Sequence, residues 1–553
     1  MSAKDFVSTI QAGYSFKGKA ILLGAALQKG VAHAEAPVRL PLRTMNRHGL
    51  ISGATGTGKT KTLAMIAEQL SEAGVPTLLM DIKGDLSGVA MPGAASASLT
   101  ERHAKIGSEW SPSAYPVEFL TLLEGPGARL RATVHEFGPT LFARMLGLNE
   151  TQSSLVALVF KFCDDKRLPL LDLKDFKKVL EYITGEAKAA VTAEYGLVPA
   201  ASVGLILRKL IELESQGAET FFGEPSFEVE DLLRTVDEFG AISVLRLGEM
   251  QDRPKLFSTF MLQLLAELYA TLPEVGDLEK PKLVLFIDEA HLIFADAEKP
   301  LLDQIETVIK LIRSKGVGVF FCTQLPTDIP DDVLGQLGMK IQHALRAFTA
   351  KDRKAIKLVA ENYPETSFYN TEQMLTELGI GEAFVTVLDE RGSPTALAAT
   401  LLCAPRSRMG PLTAAELDGL VAASPLAERY NAAVDAQSAY EILGGKMAEA
   451  ASPEHAQKMV GSARRTFSPA PAAARPPARS AELSEALGER DEPVAQVPYE
   501  RPAVAAAPQH NMISDVLGSA VAKAVVRSVA VNIAGTVTRS LLGVLGVSGR
   551  RRR

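Results

Sequence analysis

The chain has 553 residues, 47% apolar and 22% charged, a balance that accommodates two or three globular domains or one large α/β domain with insertions. Its net charge of −6 excludes a general electrostatic attraction to nucleic acid or membranes, so a polyanion site has to be a local patch or pore. Three cysteines, Cys163, Cys322 and Cys403, are odd in number and far apart, which argues against a disulfide framework or a zinc site and suits a reducing cytosol.

Taken from the start, "MSAKDFVSTIQAGYSF" lacks the apolar core of a secretory signal, and no apolar run reaches the ~20 residues of a membrane span. A cytoplasmic setting is expected. Residues 1–45 hold short strand-like pieces, "AILLGAAL" and "VRLPL", and read as an N-terminal arm too small for a core of its own. From Met45 the pattern alternates α/β. "HGLISG" is a predicted buried strand, "GKTKTLAMIAEQLSEAG" a helix stopped at Gly74, and "VPTLLMDIKGDLSG" the next strand and its loop.

Over residues 97–240 amphipathic helices dominate, with no strand-like runs between them, which predicts a helical insertion into the α/β core of residues 46–96 and 241–405. Strands resume with "AISVLRL", "KLVLFI", "GVGVFFCT" and "MKIQHALRA". A hairpin, "AFVTVL" and "ALAATLL", follows around the turn-rich "DERGSPT". Residues 406–446 read as a helical segment, residues 447–510 as an Ala/Pro-rich disordered linker, and residues 511–553 as a basic tail rich in small residues.

Two motifs carry chemistry. "GATGTGKT", residues 53–60, fits G-x-x-x-x-G-K-[ST] between a predicted strand and a predicted helix, the context that a P-loop requires. Gly53, Gly56 and Gly58 allow backbone angles closed to other residues, and with Ala54, Thr55 and Thr57 they lay out N–H groups as an anion nest at the helix start. Lys59 supplies a cation to phosphates, the Thr60 hydroxyl can ligate Mg²⁺, and Lys61 stands beside them. The second motif is "KLVLFIDEAHLIF", where a strand apolar on both faces runs into Asp288 and Glu289. Alone, that pair reads equally well as a solvated strand end. Beside a P-loop, Asp288 suits Mg²⁺ and Glu289 suits accepting a proton from an attacking water, and the two motifs together indicate ATP hydrolysis.

Other strand-tip residues keep two readings each. Gln324 closes the strand expected beside Asp288 and is placed to sense phosphate or orient water. Asp81, Lys83 and Asp85 line the site or a substrate path, or are ordinary surface charges. Arg313 and Arg346 are arginine fingers or surface ion-pair partners. His48 and His291 flank the two motifs, and nothing in the sequence marks either as a metal ligand.

The set "RHGLISGATGTGKTKT", "DIKGDLSG", "KPKLVLFIDEAHLIF", "RSKGVGVFFCTQLPTDIP" and "LGIGEAFVTVLDERGSPT" resembles the HerA-like branch of the HerA/FtsK ATPase superfamily, its bacterial YjgR-type group above all. The resemblance covers about residues 15–445. It implies a RecA-like P-loop core of the type with an additional strand and a catalytic glutamate (ASCE), bound ATP and Mg²⁺, and a hexameric ring that moves double-stranded DNA with a nuclease partner. Residue by residue it implies phosphate and magnesium binding by Lys59 and Thr60, a Walker B pair in Asp288 and Glu289, and a sensor in Gln324. It further implies a finger supplied in trans by Arg313, with Arg346 as second choice, and Arg47 facing nucleotide across a subunit interface. The family's N-terminal barrel is reduced here to a short arm.

Three functions follow as alternatives: a motor on duplex DNA, a secretion-type motor for protein or protein–DNA complexes, and a nucleotide-switched scaffold. The loops "DIKGDLSG" and "FTAKDRKAIK" are the candidates for polymer contact, although neither is strongly basic. In the tail, Lys523 and Arg527 lie four apart, with Arg539 and Arg550 to Arg553 beyond. That pattern is compatible with a helix on anionic lipid or DNA, with docking on the core, or with disorder.

Overall fold

In the computed structural model the described residues are 3–450, apart from 251, 277 and 295–298, and the expected linker from residue 451 onward and the basic tail lie outside them. Apolar runs become strands wherever both faces find cover. Among the described residues twelve strands share one sheet: β1 (Ala20–Gln28), β2 (Val31–Pro41), β3 (Gly49–Ser52), β4 (Thr77–Asp81), β5 (Val117–Thr121) and β6 (Ala128–Arg129), then, past a separate small hairpin of β7 (Thr235–Val236) and β8 (Phe239–Gly240), β9 (Ile242–Arg246), β10 (Leu283–Ile287), β11 (Val317–Thr323), β12 (Met339–His343), β13 (Glu382–Thr386) and β14 (Ala398–Leu402). The order is β2-β1-β14-β13-β12-β3-β11-β10-β4-β9-β5-β6. From β12 to β6 every neighbour is parallel, and the strands from β13 to β2 are antiparallel.

β10 shows why the centre is uniformly apolar. Leu283, Leu285 and Ile287 face a core shared with the helices Pro254–Thr271 and Lys299–Ile312, while Val284 and Phe286 face a second core shared with the helix Lys59–Glu72. Each face is covered, so alternation with polar residues is absent. Helix Lys59–Glu72 ends as expected near Gly74, whose φ of 68° lets the Val75 N–H return to the Leu70 carbonyl at 2.9 Å.

Two expectations are corrected. Residues 1–45 do not stand apart as an arm: β1 and β2 form a hairpin through Lys29 and Gly30, both at positive φ, and β1 pairs with β14. The helix Ala3–Gly13 packs over them, and the buried Tyr14 hydroxyl donates to the carbonyls of Val385 and Ala396, each at 2.8 Å. An otherwise open β14 edge is thereby covered. Residues 97–240 are also not strand-free, since β5 and β6 extend the parallel sheet between the helix Ala97–Ile106 and the later helices.

Those helices run from Val134–Met145 to Ala218–Phe221, and capping boxes at Thr133, Asn149 and Asp172 start three of them. Phe137, Phe142, Phe160, Phe176 and Phe222 meet in ring contacts at their centre, within the same continuous core that reaches β10 and β11. The helical region thus packs on the sheet. Residues beyond β14 form the helices Ala414–Ala422, Pro425–Asn431 and Ala439–Ala450.

Candidate functional site

The carboxyl ends of β3, β10, β11 and β4 deliver the candidate residues to one edge of the sheet. β11 lies between β3, which leads into the glycine-rich turn, and β10, which leads into the two acids. The turn is held by its neighbours. The Gly53 N–H reaches the carbonyls of Thr323 and Gln324 at 3.3 and 3.2 Å, and the Ala54 N–H reaches the Ala344 carbonyl at 2.9 Å. Gly53 has φ 148°, and a Cβ there would stand 2.5 Å from that of His343, so no larger residue fits this approach. Gly56 and Gly58, at φ 79° and 113°, complete the turn, with Thr55 exposed and Thr57 buried between them. Gly58 caps the helix that Lys59, Thr60 and Lys61 open.

Lys59 is buried, and its ammonium donates to the carbonyls of Gly53 and Ala54 at 2.6 and 3.3 Å, folded onto its own loop. Burial, then the Lys83 charge, pushes its pKa down, and Glu289 and Asp288 pull it back. Asp288 is 3% exposed, and burial, followed by repulsion from Glu289, lifts its pKa to about 6. Its Oδ2 is buried with no hydrogen-bond partner, as is Oδ1 of Asp85 in the loop after β4. A buried carboxylate oxygen without a donor is costly unless a cation comes to it, and hard oxygen ligands suit Mg²⁺. The residues present therefore fit that ion, with Thr60 and Asp288 as the side chains to hold it.

Glu289 follows in the left-handed region, φ 47°, a conformation a glutamate adopts only when its surroundings enforce it. The Ala290 N–H to the Cys322 carbonyl, 2.9 Å, holds the chain just beyond. Glu289 forms an ion pair with Lys83, and its Oε2 lies 3.3 Å from His291 Nδ1. Asp81 shapes the loop that brings Lys83 there: its carboxylate accepts from the N–H groups of Gly84 at 2.7 Å and Leu86 at 3.1 Å, and burial lifts its pKa to about 6. Of the two readings left open for this loop, the geometry selects the one that lines the site.

Other candidates divide. Gln324 is exposed at the tip of β11 next to Gly53. Arg346 follows β12 at the same sheet edge and donates to the Leu345 and Thr376 carbonyls at 3.4 and 3.1 Å. Arg313 is exposed in the turn that precedes β11, at the other end of the sheet, so it does not join its own chain's site. Arg47 lies before β3 at that same far end, against the Gly392 turn. His48 is buried and structural: the Val319 N–H donates to its Nδ1 at 3.1 Å, leaving Nε2 to donate to the Ile309 carbonyl at 2.9 Å.

Two supporting residues escaped the sequence reading. His343 is fully buried under the turn, 3.0 Å from the Thr62 hydroxyl, and burial pushes its pKa down to about 3. The adjacent polar Gln342 and His343 at the end of a strand where they are fully buried were the available signal. Arg102 donates to the carbonyls of Ile380, Gly381 and Leu402, fixing the segment whose Gly381 N–H meets the Thr57 carbonyl at 3.0 Å. Nothing in its helical surroundings flagged it.

A glycine-rich turn and a paired-acid strand separated by one strand of a parallel sheet define a RecA-like P-loop NTPase of the additional-strand type. Within that class, the family model for the HerA-like helicase C-terminal region matches residues 26–553, and the chain belongs to this family. It is similar to a probable helicase of Methanocaldococcus jannaschii, 26% identical over 362 residues, which are 62% of this chain and 63% of the relative. The DNA double-strand break repair helicase HerA of Sulfolobus acidocaldarius is 20% identical over 372 residues, 63% of this chain and 64% of the relative. The chain thus spans somewhat less than two thirds of these relatives' length. Among solved structures, the bacterial conjugative coupling protein TrwBdeltaN70 superposes with a TM-score of 0.49 at 13% identity, covering 74% of this chain and 94% of that one. VirB4 of Thermoanaerobacter pseudethanolicus gives 0.42 at 16% identity, covering 69% and 97%.

Proposed function

We propose that the chain is an ATP hydrolase that acts as a ring-forming motor on double-stranded DNA. The observation that carries the chemistry is the convergence of Lys59, Asp288 and Glu289 at one sheet edge, with a buried, unpartnered oxygen of Asp288 among them. In this reading the N–H groups of residues 53–61 cradle the phosphates, and the Lys59 ammonium leaves its loop carbonyls for the β- and γ-phosphates. Thr60 and Asp288 hold Mg²⁺, which when bound offsets charge on the phosphates. Glu289 takes the proton of the attacking water, and Gln324 orients that water. Arg313 cannot serve its own chain from the far end of the sheet, so its role as a finger requires a neighbouring subunit; Arg346 is the alternative already at the correct edge.

Duplex DNA as substrate is supported by family membership and by relatives that are DNA double-strand break repair helicases; a hexameric ring and a nuclease partner are carried over from the family resemblance alone. A cytoplasmic setting is part of the same reading. The test is ATP turnover of the full chain at low salt, with and without blunt duplex DNA. We expect strong stimulation by duplex that fades as salt rises. Turnover indifferent to duplex contradicts the DNA motor, and a chain without turnover contradicts the hydrolase.

A further inference from the structure

We propose that Lys83 is a latch: it holds Glu289 away from the triphosphate until an anionic polymer at the strand tips draws the lysine off, coupling polymer engagement to hydrolysis. This rests on the reading of Glu289 as the residue that activates water. β4 and β10 are parallel neighbours in register, Met80 beside Ile287, so the loop after β4 and the acids after β10 emerge at the same tip. There the Lys83 ammonium pairs with Oε1 of Glu289, while Oε2 is turned toward His291. Both oxygens of the candidate base are thus directed at side chains of its own chain.

The pair spans the boundary between interior and solvent. The Glu289 side chain is 7% exposed and that of Lys83 is 41% exposed, so a molecule outside the site can reach the lysine but not the glutamate. The loop beneath Lys83 is held at its base by Asp81, through the N–H groups of Gly84 and Leu86, so the lysine side chain can swing without the loop moving. Among the other lysines of the site, Lys59 directs its ammonium to its own loop carbonyls and Lys61 faces the charges of Asp85 and Asp81. An ammonium exchanges one oxyanion for another at little cost, and a phosphate of a nucleic-acid backbone is an equivalent partner. Lys83 is therefore a positioning residue, acting on the reaction through Glu289. Its effect falls on kcat and on the response to polymer, whereas an ordinary surface ion pair would affect neither.

The test compares steady-state ATP turnover of wild type, Lys83→Gln, Lys83→Arg and Glu289→Gln as full chains, with and without blunt duplex DNA. Freeing Glu289 in Lys83→Gln raises basal kcat by roughly three- to tenfold, as for a competent state populated in roughly one molecule in three to one in ten, and KM for ATP stays within about twofold. The same variant loses most of its stimulation by duplex, and Lys83→Arg, which keeps the cation, recovers it. A basal kcat in Lys83→Gln that is unchanged or lowered, or a stimulation ratio equal to wild type, overturns the latch while an inactive Glu289→Gln leaves the hydrolytic reading standing. Near-normal turnover by Glu289→Gln overturns both.

Discussion

Asp288 is a carboxyl group in surroundings that disfavour its charge. Its pKa is lifted to about 6, so the folded chain binds a proton more readily than the unfolded chain does. The charged form therefore costs stability above pH 6, and the cost is relieved as pH falls from about 6 toward the ordinary carboxylate value. Asp288→Asn removes that charge, and we expect it to stabilise the magnesium-free protein at pH 7.5 by about 1–3 kcal/mol while abolishing turnover. Urea denaturation checks the first part, and a variant less stable than wild type refutes it. Residues of this kind were legible because their chemistry is local in sequence: a glycine pattern before Lys59 and two acids after an apolar run. His343 and Arg102 were not, because their roles depend on β12 and residues 380–402 arriving beside the turn.

At the scale of elements, strands covered on both faces announced themselves as apolar runs in β3, β4, β9, β10 and β11, and β12 was readable despite Lys340, Gln342 and His343. β5 was missed because Glu118 interrupts it. That glutamate is tied up at 3.1 Å by Arg234, a partner 116 residues away. β1 and β2 were readable as strand-like, but pairing with β14 is a contact between the two ends of the described chain, which no local pattern encodes.

His48, in the turn before β3, shows what such packing does to a titratable group. Burial lowers its pKa to about 4, so it is neutral in the fold, and its contribution is fully present above the unfolded value and is lost as pH falls through 6.5 toward 4. His343 adds a loss of the same sign, and Asp81 and Asp288 oppose both. The informative quantity is accordingly a difference. Between pH 7 and pH 5, His48→Asn is expected to lose about 2 kcal/mol less unfolding free energy than wild type. Parallel losses in the two proteins would show that His48 is not buried neutral.

At the scale of the whole molecule, one sheet edge gathers the P-loop, the acids and the Lys83 loop, while Arg313 and Arg47 stand at the other. In the proposed ring, an arginine finger at that far end would have to act on a neighbouring subunit's site. Family membership supplies the motor reading, and the geometry supplies the chemistry that a motor needs. The central claim is that Lys59, Asp288 and Glu289 serve a single magnesium triphosphate, with binding and hydrolysis separable within it. Measuring ATP affinity and turnover side by side in Glu289→Gln tests it most directly. The account predicts affinity within a few-fold of wild type and turnover lower by ~100-fold or more; turnover close to wild type, or loss of binding together with turnover, would contradict it.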